Sequence, residues 1–292
     1  MKDEIIDCLA YNGKVSIKCI SSREIVEKAR KLHDLSPTAS AALGRLLTIT
    51  SIMGYELKTE EASITNQIKG NGPIGILTAV ADSNGNVKGY VGDGKVDLPL
   101  RKSDGKLDVC GAVGKQGMLS IINDFGIGKP YVGMTPIVSG EIAEDFTNYF
   151  ATSEQTPTVI ALGVLVDKNG IKSAGGYKLS LMPDAGEEEI STIEEQIKNI
   201  EPVSKMLDEN KTLEEIAKIV TGDENLKVLE RTEPKFECNC SREKCEKGLI
   251  AIGKKELEDI IKEEEKIQIE CNFCNSKYVF TREELQEIVA KM

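Results

Sequence analysis

"FECNCSREKCEKG" at residues 236–248 and "IECNFCNSKYVF" at 269–280 hold five of the chain's eight cysteines. Their reading decides how the end of the chain folds. Four of the five fall in two tight pairs, Cys238 with Cys240 and Cys271 with Cys274. Two close pairs of thiolates fit a tetrahedral zinc ion, each pair filling two corners. The 30 residues between Cys240 and Cys271 form a long loop for such a site. Loop closure grows only logarithmically, by about 0.6 kcal/mol per doubling, so the length is tolerable. Cys245 stands where a helix after Ser241 begins, as a spare ligand, a resolving thiol or a packed side chain.

Two readings of the metal remain open on spacing alone. A unit of some 57 residues, 236–292, is marginal by itself. Structural zinc supplies roughly 10–16 kcal/mol to small zinc-binding peptides, so the ion could simply hold the unit together. The same dependence makes it a switch, because oxidising the thiolates removes the ligands and their contribution to folding. Each pair is close enough in sequence for its two cysteines to join locally. Cys8, Cys19 and Cys110 lack paired spacing and read as core residues.

Upstream, residues 1–182 read as an α/β (α+β) core with mixed sheets and helices. Strands are expected at 15–20, 62–68, 76–81, 87–91 and 159–166. Hairpin turns follow at Ser83-Asn84-Gly85-Asn86 and Lys168-Asn169-Gly170, where Asn and Gly supply positive φ. One helix spans 24–35 with Ile25, Ala29 and Leu32 on a face. The next opens at Ser36-Pro37 and runs apolar to Met53. Residues 111–140 read as glycine-rich connections.

Residues 183–235 are charged and helix-prone, broken at Pro202, Gly222 and Pro234. Thr212-Leu213-Glu214-Glu215 is a capping box. Short helices with thin apolar stripes are marginal in water, so this linker is expected to be metastable and to lean on something else. In 236–292, helices are expected from Ser241 to Ile252 and over 254–264. Strands at 267–270 and 277–280 flank the second cysteine pair, and a capping box at Thr281 opens a last helix.

Charge and motifs exclude several classes. Residues 1–186 carry 21 acids and 20 bases, and residues 187–292 carry 27 acids and 17 bases, so the net −11 sits almost wholly in the C-terminal part. That surface repels phosphate backbones, and the chain lacks Trp for base stacking, so no nucleic-acid partner is expected. No apolar run approaches a membrane span and the start lacks a signal-peptide pattern, which places the chain in the cytoplasm with no membrane partner. Gly70–Gly75 matches G-x-G-x-x-G but precedes a strand-like ILTAVA, not a helix. Gly89–Lys95 nearly completes a P-loop, yet Val96 occupies the Ser/Thr position. His33, the one histidine, reads as a helix-surface residue. No acid–base constellation is visible, so no enzyme is expected.

The run C-x-C-S-R-E-x-C followed by C-x-x-C resembles the redox-regulated chaperone family called heat shock protein thirty-three, or 33 kDa chaperonin. "DFGIGKPYVGMTPIVSGEIAEDFTNYFATSEQTPT" from Asp124 and "SAGGYKLSLMP" from Ser173 are similar to that family's central signature and core ending. The likeness covers the whole chain. Ser180 and Asp184 depart from it, where Gln and Gly are usual, which leaves open how the linker docks on the core.

The resemblance implies an ATP-independent holdase, inactive when reduced and bound to one zinc ion by Cys238, Cys240, Cys271 and Cys274. Oxidation would form Cys238–Cys240 and Cys271–Cys274 disulfides, release the ion, and unfold the terminal domain and linker. Apolar surface would then meet unfolding client proteins, with the activated form a homodimer. The rival readings are an interaction module with purely structural zinc and a thiol oxidoreductase using Cys271-Asn272-Phe273-Cys274.

Overall fold

Ser36 and Pro37 open the helix at the core of the larger unit. In the computed structural model, which describes residues 2–292, the Ser36 hydroxyl accepts from the Ala39 N–H at 3.1 Å. In order come β1 (Glu4–Ala10), β2 (Val15–Ser21), α1 (Arg23–His33) and α2 (Pro37–Tyr55). Then follow β3 (Ser63–Gly70), β4 (Ile76–Asp82), β5 (Val87–Val91), α3 (Val109–Val113), β6 (Gly117–Asp124) and β7 (Tyr131–Pro136). After these lie α4 (Ala143–Thr152), β8 (Thr158–Asp167), β9 (Gly170–Leu181), α5 (Glu187–Asn199), α6 (Val203–Asp208), α7 (Leu213–Thr221) and β10 (Lys227–Thr232). The chain ends with α8 (Arg242–Ile252), α9 (Lys254–Glu263), β11 (Lys266–Glu270), β12 (Lys277–Thr281) and α10 (Arg282–Ala290).

Two compact units result, Met1–Glu237 and Cys238–Met292. The first holds two five-stranded sheets, ordered β10-β1-β2-β9-β8 and β5-β4-β3-β6-β7. Every strand pairing is antiparallel, so the fold class resolves to α+β. Helix α2 touches strands of both sheets and is buried on every side. That explains its small residues: a Cβ at Gly44 would lie 2.7 Å from a Val26 methyl. Leu43, Leu46, Leu47, Ile49 and Met53 all enter the main core, as their sequence run suggests.

Three stretches differ from the sequence expectation. Residues 111–140 contain α3, β6 and β7 rather than connections alone. Positive-φ glycines at 114, 126 and 128 bracket β6 and break its pattern without being part of it. β1 shows no period-two alternation, because both of its faces are covered: Ile5 and Ile6 are each fully buried. Within the charged stretch before Phe236, β10 forms as well as helices, pairing with β1 more than two hundred residues earlier.

Helices α5 to α7 lie over one face of the first sheet. Ile193, Val203, Met206, Leu213, Ile216 and Val220 pack against Ile6, Cys8, Ile17, Cys19, Tyr177 and Leu179. Polar ties accompany the burial. The Tyr11 hydroxyl donates to the Thr221 carbonyl at 2.6 Å, the Ser173 hydroxyl to the Ser204 carbonyl at 2.7 Å, and Lys14 pairs with Glu189. Ser180, on β9 opposite Ser16, lies 3.3 Å from the Thr158 hydroxyl. Cys8 and Cys19 are core thiols, and burial pushes both pKa values up.

The second unit is far smaller. Five side chains are buried in it: Leu249, Leu257, Phe280, Leu285 and Ile288. Arg242, at the start of α8, joins its parts. Its guanidinium sits 4.1 Å from the Phe280 ring centroid, donates to the Val279 carbonyl at 2.8 Å and pairs with Glu284 at 2.7 Å.

Candidate metal centre

The β11–β12 hairpin and the extended segment before α8 carry the site. Cys271 follows β11 and Cys274 precedes β12. Between them the backbone turns tightly. The Asn275 N–H donates to the Cys271 carbonyl at 2.8 Å, and the Cys271 N–H to the Ser276 carbonyl at 2.9 Å. Asn275 makes this turn at φ +58°, a conformation Asn tolerates better than most residues. On the other side, the Ser241 hydroxyl caps α8 by accepting from the Lys244 N–H at 3.3 Å. The cap starts the helix just after Cys240, leaving Cys238 and Cys240 outside any helix or strand.

Cys238, Cys240, Cys271 and Cys274 place their four Sγ atoms within 4.8 Å of one another. Cys238 Sγ lies 3.7 Å from Cys271 Sγ, and Cys240 Sγ lies 3.3 Å from Cys274 Sγ. Tetrahedral zinc–thiolate bonds of about 2.3 Å require sulfurs about 3.8 Å apart. The donor set therefore fits a tetrahedral ion that favours sulfur, and these four residues could hold one.

The electrostatics point the same way. Burial raises the Cys238 thiol to about 12 and pushes Cys271 up as well. Burial also opposes ionisation of Cys274, but hydrogen bonds from Ser276 and the neighbouring cysteines outweigh it and bring that thiol down to about 6. Four thiolates at this spacing need a positive ion among them.

The sequence reading missed two neighbours. The Tyr278 hydroxyl donates to Cys240 Sγ at 3.1 Å, and Ser276 Oγ lies 3.2 Å from Cys274 Sγ. Tyr278 lies two residues before Phe280 and shares its face of β12, at the end of the strand next to the sulfurs. Cys245 lies on α8 against the small core and outside the four-sulfur group.

The other motifs take structural places. Gly70–Gly75 is the turn between β3 and β4, with the Gly72 N–H donating to the Val113 carbonyl at 2.9 Å. Gly89–Val91 lie in β5, and the Gly94 carbonyl accepts from the Ser36 N–H at 2.9 Å. His33 Nε2 is 3.1 Å from the Gly89 carbonyl. Cys271-Asn272-Phe273-Cys274 sits at a hairpin tip rather than a helix start. Among the described residues no helix is long and apolar enough to cross a membrane.

Comparison with known proteins adds an independent result. The family described as Hsp33 protein matches residues 3–281. The 33 kDa chaperonin of Clostridioides difficile (strain 630) is 47% identical over 292 residues, covering 100% of both chains. That of Bacillus cytotoxicus is 45% identical over 290 residues, covering 99% of both. A crystal structure of the 33 kDa chaperonin (heat shock protein 33 homolog) from Thermotoga maritima superposes with a TM-score of 0.90. Its identity is 38%, and the match covers 100% of this chain and 99% of that one.

Proposed function

The chain belongs to the Hsp33 protein family of chaperones, and from that premise we propose that it is a redox-gated, ATP-independent holdase. The supporting observation is the four-sulfur cluster built on a unit with only five buried side chains. Residues 1–182 act as the core, 183–235 as a metastable linker, and 236–292 as the switch.

In the reduced form Cys238, Cys240, Cys271 and Cys274 hold one zinc ion, whose bonds cross-link two otherwise weakly joined segments and keep this form inactive. The thiols are half-buried and within reach of a small peroxide. One thiolate attacks the peroxide O–O bond, becoming a sulfenic acid and releasing water after protonation. Its partner thiolate then attacks that sulfur, expelling hydroxide as the disulfide forms. Two thiols are oxidised and one peroxide is reduced to two waters.

We assign the disulfides as Cys238–Cys240 and Cys271–Cys274. Local bonds remove all four donors while leaving the segments untied. Bonds between the pairs would replace the lost cross-link and keep the unit closed. With the donors gone, the small core loses most of its support. The linker loses the folded unit that follows it, and α5 to α7 leave the sheet. Ile6, Ile17, Tyr177 and Leu179 then form an apolar face for unfolding client proteins. The activated form works as a homodimer in the cytoplasm, with neither nucleic acid nor membrane as a partner.

The test is light scattering of a heat-unfolding client with the protein either reduced and zinc-loaded or pre-treated with peroxide at raised temperature. Suppression by the oxidised sample alone is expected. Equal suppression by both would remove the gate, and none by either would leave the cysteines a purely structural role.

A further inference from the structure

Residues 227–237 pair with the β1 edge of one sheet and, at Val87 alone, with the β5 edge of the other. β10 pairs with β1 in the register Ile5–Thr232, Ile6–Arg231, Asp7–Glu230, Cys8–Val228 and Leu9–Lys227. A few residues on, the Val87 N–H donates to the Lys235 carbonyl at 2.8 Å and the Glu237 N–H to the Val87 carbonyl at 3.0 Å. Between these bonds Phe236 enters the main core with 3% of its surface exposed. Lys28 Nζ donates to the Phe236 carbonyl at 2.9 Å. Cys238 follows Glu237 immediately, so the segment leads directly into the first cysteine pair.

β10 is held mainly by its backbone. A register shift between Asp7 and Cys8 leaves Leu229 as an extra residue, half-exposed. Its side chains make largely surface contacts: Arg231 with Glu4 at 3.3 Å and Glu214 at 3.1 Å, and Glu230 accepting from the Tyr55 hydroxyl at 2.8 Å. Val228 alone packs partly into the core beneath. Such a strand is recognised by N–H and C=O groups that every polypeptide carries, so little in its sequence fixes its place. The strand beneath is different. β1 reads EIIDCLA, with Ile5, Ile6 and Cys8 fully buried. Uncovered, it is a long apolar edge, the kind that recruits another strand.

We propose that β10 is an internal stand-in for the client, and that once residues 227–237 leave, the β1 edge takes an extended stretch of unfolded polypeptide as an added strand. This rests on the redox-gated holdase reading and gives it a binding mode. Charge is read at one end of the edge. Arg231 of β10 pairs with Glu4 of β1 at 3.3 Å, whereas Glu230 stands opposite Asp7, which pairs instead with Lys18 of β2 at 3.3 Å. An apolar client segment with Arg or Lys at the Glu4 end fits this edge. The β7 edge, with Val132 and Met134 exposed, is open in the folded state and therefore cannot be gated by the cysteines.

Amide hydrogen exchange on the full-length chain tests this, read at residues 4–10 with α2 as the internal reference. The samples are reduced, oxidised, and oxidised with permanently unfolded carboxymethylated α-lactalbumin. Oxidation is expected to speed exchange of the edge-facing β1 amides about tenfold or more, and the added polypeptide to slow them again by a similar factor. β1 amides that stay protected on oxidation, or stay exposed in the complex, would overturn the proposal. So would protection that returns without the polypeptide and grows with protein concentration, because a second copy then holds the edge. Light scattering on the same samples separates the two levels. Suppression without re-protection leaves the holdase standing and removes strand addition; no suppression after oxidation removes both.

Discussion

The two units of this chain are stabilised by different physics. In the first, thirty buried side chains form one core around α2, and a second cluster joins the linker helices to the sheet. In the second, five buried side chains share 55 residues with four converging sulfurs. A large core is insensitive to chemistry at any one surface group. A small core depends on its cross-link, so on the proposed redox reading an oxidant of the four thiols would act on the second unit and spare the first. The linker helices belong by contact to the first unit, whose last residue, Glu237, runs directly into Cys238.

The strongest way to break this contrast is to remove one sulfur. Cys271→Ser leaves three donors and should forfeit most of the roughly 10 kcal/mol that a structural zinc ion contributes. Amide NMR dispersion should collapse for residues 238–292 and persist for the core helix α2, without any oxidant. A variant that binds zinc as tightly as the native chain would show that the unit does not depend on its cross-link.

The mirror experiment is Leu47→Ala, in the fully buried centre of α2. It should cost the first unit about 2–5 kcal/mol and lower its melting temperature. Zinc affinity, read by competition with a chelator, should not move. A parallel loss of zinc affinity would mean that the units share one stability.

Asp3 offers a subtler probe confined to the first unit. Burial pushes its carboxyl up to about 6, against the N–H bonds from Ile25 at 2.7 Å and Glu24 at 3.0 Å that favour its charge. Because the folded value lies above the usual one of about 4, the protonated form is the stabilising one. Its contribution is full below about pH 4 and is lost as pH rises through 6, a change of about 2–3 kcal/mol. Asp3→Asn should flatten this slope in a urea titration of the first unit. An unchanged slope would assign the pH dependence to other groups.

Much of this architecture was legible in local chemistry. Ser36-Pro37, Thr212-x-x-Glu215 and Thr281-x-x-Glu284 mark helix starts, and each forms the cap its spacing suggests. Such signals act within one turn of the chain, so distant residues cannot overrule them easily. The two cysteine pairs are local in the same sense: each is set by a short backbone segment, a tight turn in one case and a helix cap in the other.

What the sequence could not disclose depends on who covers whom. β1 has no alternation because helices lie on both its faces, and β10 is a strand because an unfilled edge lies opposite it. Tyr278 meets Cys240 only when β12 and the segment before α8 come together. The sequence by itself determined the caps, the turns and the two sulfur pairs, whose energies arise between near neighbours. Tertiary structure alone decided that the segment before Cys238 pairs along the β1 edge and bridges to β5 at Val87, because strand pairing is read by backbone groups rather than by side chains.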